Sequence, residues 1–177
     1  LEHRRQRQMC IRDRYDFVIL DDLSASRIDR HYEIENVTNK QVPLFIGGVG
    51  DIEKLREVFS SHSIDIVIHC AGKKSVPESI ANPLKYFASN ISNGIEFLTV
   101  MKQFNVYSMI FSSSAAIYSR ENVQPVSEES ITTGFANPYS QTKLIFENIC
   151  KALAASDDNW RIGILRYFNP VGAHETG

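Results

Sequence analysis

The chain has 177 residues, 43% of them hydrophobic, and its 19 Lys and Arg nearly balance 21 Asp and Glu for a net charge of −2, an ordinary globular composition. A chain of this length buries about 70% of the surface its unfolded form exposes, enough for one core, so a single domain is expected. The near-neutral balance excludes the concentrated basic face that a nucleic-acid or membrane-surface partner needs, and no apolar run approaches the ~18 residues of a membrane span. Cys10, Cys70 and Cys150 are odd in number, far apart and without a CxxC pair. Neither a disulfide framework nor a metal site is predicted from them, and a reducing, cytoplasmic setting fits.

Residues 1–14 carry Arg4, Arg5, Arg7, Arg12 and Arg14 against only Glu2 and Asp13. This stretch lacks the apolar run of a signal peptide and the Ser-rich amphipathic face of a transit peptide, and it reads as a stub foreign to the fold. The competing reading, a nucleic-acid arm, would bind weakly at ordinary salt with so few arginines. From Tyr15 on, short apolar runs alternate with helical stretches. Strands are predicted at Phe17–Leu20, Val42–Ile46, Ile64–His69, Met109–Ser113 and Ile162–Leu165. Continuous Val/Ile/Leu/Phe runs of this length, without period-2 alternation, suit a parallel sheet buried on both faces. Helices are predicted at Ile52–Ser61, roughly Leu84–Phe104 and roughly Tyr139–Ala155, with Asp51 and Asn82 as caps and Pro83 and Pro138 in first turns. The β-α-β rhythm implies right-handed crossovers and an open, doubly wound sheet of Rossmann type, whose ligands bind outside the carboxyl ends of the strands.

The residues just after each run are therefore the candidates. Asp21 can accept both hydroxyls of an adenosine ribose and would repel a 2′-phosphate, although an ordinary turn aspartate is an equal reading. Asp51, with Ile52, ends another run and stands near an adenine or simply caps a helix. Cys70-Ala71-Gly72-Lys73-Lys74 is a bend of small residues where backbone can approach a ligand closely, with Lys74 over phosphates or left as a surface lysine. His69 has no matching ligand set and reads as structural. Ser112-Ser113-Ser114 brings hydroxyls to the crevice or is a polar strand end. Tyr139 and Lys143 lie at i and i+4, neighbours on one helix face at about 5–6 Å between Cβ atoms. An adjacent ammonium favours the phenolate of a tyrosine and brings it toward use as a base. Tyr-x-x-x-Lys is common by chance; behind a serine-ended strand in such a sheet it is a strong signal.

Taken with Asp21-Asp22-Leu23, Gly50-Asp51-Ile52, Ile66–Lys74, Phe111–Ala115, Asn137–Lys143 and Leu165–Ala173, the chain from Tyr15 to Gly177 resembles the extended short-chain dehydrogenase/reductase family, in its sugar-nucleotide epimerase branch. The resemblance implies NAD-dependent interconversion of UDP-glucose and UDP-galactose through a 4-keto sugar, in galactose metabolism. It implies Tyr139 as the proton-transfer group, Ser114 on the reacting hydroxyl, and Lys143 on the nicotinamide ribose. It further implies Asp21 with Ser26 at the adenosine end, Asp51 and Ile52 at the adenine, and Cys70, Ala71, Gly72, Lys74 and Ser112 along the middle of the cofactor. Asn90 would line the cofactor site near Lys143, Phe168 would contact nicotinamide and Asn169 the UDP-sugar. A homodimer through the two longest helices is also implied; both carry apolar residues on more than one face, such as Ile91, Ile95, Leu98 and Met101.

Three departures from the family pattern are small: Cys70 replaces a usual aromatic residue, Ala25 a common asparagine, and Ser119 a glycine. The larger one concerns the ends. Residues 15–177 read as a partial dinucleotide-binding domain: the first strand and its glycine-rich turn are missing from residues 1–14, which is expected to split the sheet, and the C-terminal substrate domain is absent, so the chain by itself is expected to be poorly folded and inactive. Alternative readings are another sugar-nucleotide enzyme of the family, whether dehydratase, decarboxylase or reductase, and a non-catalytic NAD-binding remnant. Ser114-Ala115-Ala116 lacks the carboxylates that dehydratases carry there, and the intact Ser114, Tyr139 and Lys143 count against a remnant.

Overall fold

The computed structural model describes residues 15–38, 40–119, 121–133 and 136–171. The basic stretch 1–14, and Gly172 and Ala173 of the last motif, lie outside them. Within these bounds the chain alternates strands and helices: β1 Ile19–Asp21, α1 Asp29–Thr38, β2 Leu44–Ile46, α2 Ile52–Ser61, β3 Val67–His69, α3 Val76–Ala81 and α4 Pro83–Phe87. A π-helical turn Ala88–Ser92 joins α4 to α5 Asn93–Gln103, followed by β4 Ser108–Ser114, a 3₁₀ turn Ala115–Ile117, α6 Pro138–Ser156 and β5 Arg161–Tyr167. The pairings among these five strands are all parallel, and an isolated antiparallel bridge joins Tyr118 to Thr132. The strands form two sheets among the described residues, β1-β2 and β3-β4-β5.

The apolar runs form the strands because each inward side chain meets a helix. Met109 and Phe111 of β4 pack against Phe97, Leu98, Val100 and Met101 of α5, against Leu55 and Phe59 of α2, and against Phe146 and Cys150 of α6. Leu20 of β1 and Ile52 of α2 join the same cluster, so both sheets share one main core. A smaller cluster of Ile19, Ile34 and Val42 lies under α1. In α2, Leu55, Val58 and Phe59 make one buried stripe, the i, i+3, i+4 pattern of a helix lying on a core.

Several expectations are corrected. The run at Phe17 pairs only from Ile19, which makes Asp21 the last residue of β1 instead of the first after it. The single helix expected over Leu84–Phe104 is divided, because Pro83 starts α4 and the backbone widens to π geometry at Ala88–Ser92 before α5. Asn82 precedes α4 without a side-chain capping bond, whereas Asp51 caps α2 by accepting from Lys54 N at 3.0 Å. Two helices were not anticipated. The apolar stripe of α1 is thin, with Ile34 its buried core residue, and α3 is short at 6 residues.

Candidate active site

The carboxyl ends of β3, β4 and β5 and the first turn of α6 converge on one cleft of about 290 Å³. Cys70, Gly72 and Lys74 reach it from the β3 end, Ser112 and Ser114 from β4, Tyr139 and Lys143 from α6, and Phe168 and Asn169 from the segment after β5. Parallel strands pairing in register bring these ends level: His69 stands beside Phe111, and Ser114 beside Tyr167.

The start of α6 is held by a reciprocal capping box. Asn137 Oδ1 accepts from Ser140 N at 2.9 Å, and Asn137 N donates to Ser140 Oγ at 3.3 Å, with Pro138 in the first turn. That cap sets where Tyr139 leaves the helix. One turn on, Lys143 is buried at 8% exposure; its Nζ donates to Ser112 O at 2.7 Å and lies 4.8 Å from the centre of the Phe111 ring. The ammonium is thus fixed in the cleft wall by β4 itself, with an aromatic face beneath it.

Asn90 lies outside the cleft lining and braces it. Its Oδ1 accepts from Lys73 N at 2.8 Å, and its Nδ2 donates to Lys73 O at 2.9 Å and to Thr142 Oγ1 at 3.1 Å. The π turn carries this side chain to the bend after β3, which the expected α-helical register did not foresee. In that bend Gly72 has φ +140°, and a Cβ there would stand 3.2 Å from Asn90 Oδ1. A side chain there would be strained by that φ and crowded by Asn90, and as glycine the residue presents backbone to the cleft.

The other expected residues form a second group at the β1 and β2 ends. Asp21 Oδ1 accepts from Leu23 N and from Ser26 Oγ, both at 2.9 Å, in a turn where Leu23 takes φ +55°. Asp51 caps α2 and Ile52 packs on the main core. Neither group includes His69, which is stacked between Phe97 and Phe111 with centroids at 5.0 and 5.8 Å. Ser113 and Ala116 line the cleft as well, and so do Val76 and Tyr167, to which the sequence assigned no role.

It also missed a buried ionic group beneath the cleft. Glu147 on α6 has zero exposure; its Oε1 accepts from Ser113 Oγ at 2.6 Å, and Arg166 Nη2 donates to its Oε2 at 2.8 Å. That bond raises the Arg166 guanidinium above even its usual high value, keeping it charged. The signal was present in the spacing, since 139, 143 and 147 repeat at i, i+4 and i+8 on one helix face.

The chain matches a model of the NAD dependent epimerase/dehydratase family over residues 7–177. It is similar to UDP-glucose 4-epimerase of Bacillus subtilis, 38% identical over 163 residues that make up 92% of this chain and 48% of that protein. Among solved structures it is similar to UDP-glucose 4-epimerase from Bifidobacterium longum in complex with NAD+ and UDP, with TM-score 0.95 and 39% identity over 98% of this chain and 52% of that one. A Stenotrophomonas maltophila UDP-glucose-4-epimerase with bound NAD and formylated UDP-arabinopyranose gives TM-score 0.92 at 36% identity, over 98% of this chain and 51% of that one. The chain spans about half the length of these relatives.

Proposed function

The chain belongs to the NAD dependent epimerase/dehydratase family, and from that premise we propose that it inverts C4 of a UDP-hexose, interconverting UDP-glucose and UDP-galactose. The observation that carries the reading is the cleft that Ser114, Tyr139 and Lys143 share with Phe168 and Asn169. The residues present fit a dinucleotide. Gly72 presents backbone at a φ that disfavours any side chain, Lys143 holds its ammonium against β4, and the Asp21–Ser26 pair ends β1 with the acceptor a ribose diol needs. Bound NAD supplies the group that takes a hydride from C4 and returns it.

Tyr139 receives the proton of the C4 hydroxyl as the C4–H pair leaves with its electrons, which yields a 4-keto sugar. Ser114 donates a hydrogen bond to that oxygen throughout. The ammonium of Lys143 lowers the cost of the phenolate and binds the ribose beside it. When the ketone presents its other face, Tyr139 gives the proton back, so acid and base are one residue in turn. Asn169 binds the sugar nucleotide and Phe168 covers the nicotinamide. Among the described residues no carboxylate lines the cleft, and Ala115 and Ala116 follow Ser114, which favours epimerisation over elimination of water.

The intact protein is a homodimer in this reading, supported by exposed Leu84, Ile95 and Ile145. Buried Cys150, which forms no disulfide, suits a cytoplasmic setting. The test is incubation of the intact protein with UDP-galactose and chromatography of the products. UDP-glucose without dehydrated sugar is expected, and Tyr139→Phe is expected to slow it about 10²–10⁴-fold. Undiminished turnover in that variant would sink the assignment of Tyr139.

A further inference from the structure

Among the described residues, the buried charged side chains besides His69 are Lys143 and Glu147, one turn apart on α6. Each contacts β4 at a neighbouring residue. Lys143 Nζ donates to Ser112 O at 2.7 Å, and Glu147 Oε1 accepts from Ser113 Oγ at 2.6 Å. A helix tied to a strand at one point can still slide and roll about it, whereas ties one turn apart, about 6 Å along the helix, remove both freedoms.

The carboxylate reaches further than β4. Arg166 Nε donates to Oε1 at 3.1 Å and Nη2 to Oε2 at 2.8 Å, while Nη1 donates to Tyr118 Oη at 3.1 Å and to Glu128 O at 2.8 Å. The guanidinium lies 5.1 Å from the Tyr118 ring centre, and that ring stacks on Phe168 at 6.3 Å. Glu147 therefore joins α6, β4, β5 and the segment after the 3₁₀ turn, and each contact adjoins a cleft residue: Ser113 lies between Ser112 and Ser114, and Arg166 precedes Tyr167 and Phe168. A buried ion pair is no more stable than a packed apolar pair of the same volume. Its use here is geometric.

We infer that Glu147 is a positioning residue for the Tyr139, Lys143 and Ser114 chemistry, its carboxylate fixing α6 on β4 so that phenol, ammonium and hydroxyl meet at one atom of substrate. This rests on the reading of Tyr139 as the proton-transfer group. A purely structural carboxylate would influence stability alone. A positioning carboxylate influences the phenol as well, because Tyr139 rides on α6 while the ammonium of Lys143 is tied to Ser112 O of β4, so that a shift of the helix changes their separation.

The experiment pairs Glu147→Leu/Arg166→Met, which removes both charges of the pair together, with Ser113→Ala, which leaves the ion pair and removes only its tie to β4. Thermal melting and spectrophotometric titration of the Tyr139 phenol, against a Tyr139→Phe background, are read on the intact protein. Both variants are expected to melt cooperatively with the phenol midpoint raised by at least one pH unit, and kcat lowered about tenfold with KM changed less than twofold. If the double variant does not fold, Ser113→Ala alone decides. A wild-type midpoint in a folded variant overturns the inference and leaves the proposed function standing. A phenol at the free-tyrosine value of about 10 already in the unmutated protein, with turnover surviving Tyr139→Phe, overturns both.

Discussion

Cys150 lies in the main core, three residues beyond Glu147, and burial reinforced by that carboxylate pushes its thiol up from 9.0 to about 12. A folded-state value above the unfolded one means that the thiol costs nothing below pH 9, where both states hold the proton. Above it the unfolded chain ionises first, and stability is lost as pH rises toward 12, by on the order of 4 kcal/mol across that window. Denaturant titrations between pH 8 and 11 should show a shallower alkaline fall in Cys150→Ala than in the unmutated chain, and equal slopes would contradict the assignment. At this scale the site was half legible. Tyr139 and Lys143 announce themselves by i, i+4 spacing, and Gly72 by the composition of its bend. Glu147 sits on the same stripe at i+8 and escaped notice, because a buried acid in a helix resembles a solvated one until its partners on other elements are known.

Helices contribute through their packing. Gly94 in α5 faces Phe146 of α6, and a Cβ there would stand 2.4 Å from the ring edge. Alanine is better than glycine in a helix interior by about 1 kcal/mol, yet Phe146 is wedged against Phe111 at 4.7 Å and His69 at 5.5 Å and cannot give way. Overpacking at such a contact costs about 1–3 kcal/mol. Gly94→Ala should therefore lower the melting temperature despite its helix propensity, and a rise would show that α5 and α6 can separate without penalty. Element existence was readable from apolar runs at five strands and at α2 and α6. The undivided helix over Leu84–Phe104 was not, since the π turn that turns Asn90 toward Lys73 and Thr142 satisfies contacts 17 and 52 residues away in sequence.

In the whole molecule, burial distinguishes core from interface. Of the apolar residues on the longest predicted helix, Leu98 and Met101 belong to the core and Ile91 packs against it, while Ile95 is 44% exposed. Ile145 on α6 and Leu84 on α4 are exposed with it. If these residues meet a second copy, Ile95→Glu with Ile145→Glu should convert the intact protein to monomer in sedimentation velocity, and an unchanged species would place the dimer contact elsewhere. By itself the sequence determined the alternation of strands and helices, the parallel character of the sheet and the Tyr139–Lys143 pair, because those depend on periodicities of a few residues. Only the tertiary structure decided that Ser112 anchors Lys143 from 31 residues away and that Ser113 and Arg166 share one buried carboxylate. Such contacts join residues whose distance in space is set by strand order and helix register, and they leave no periodic trace in the chain.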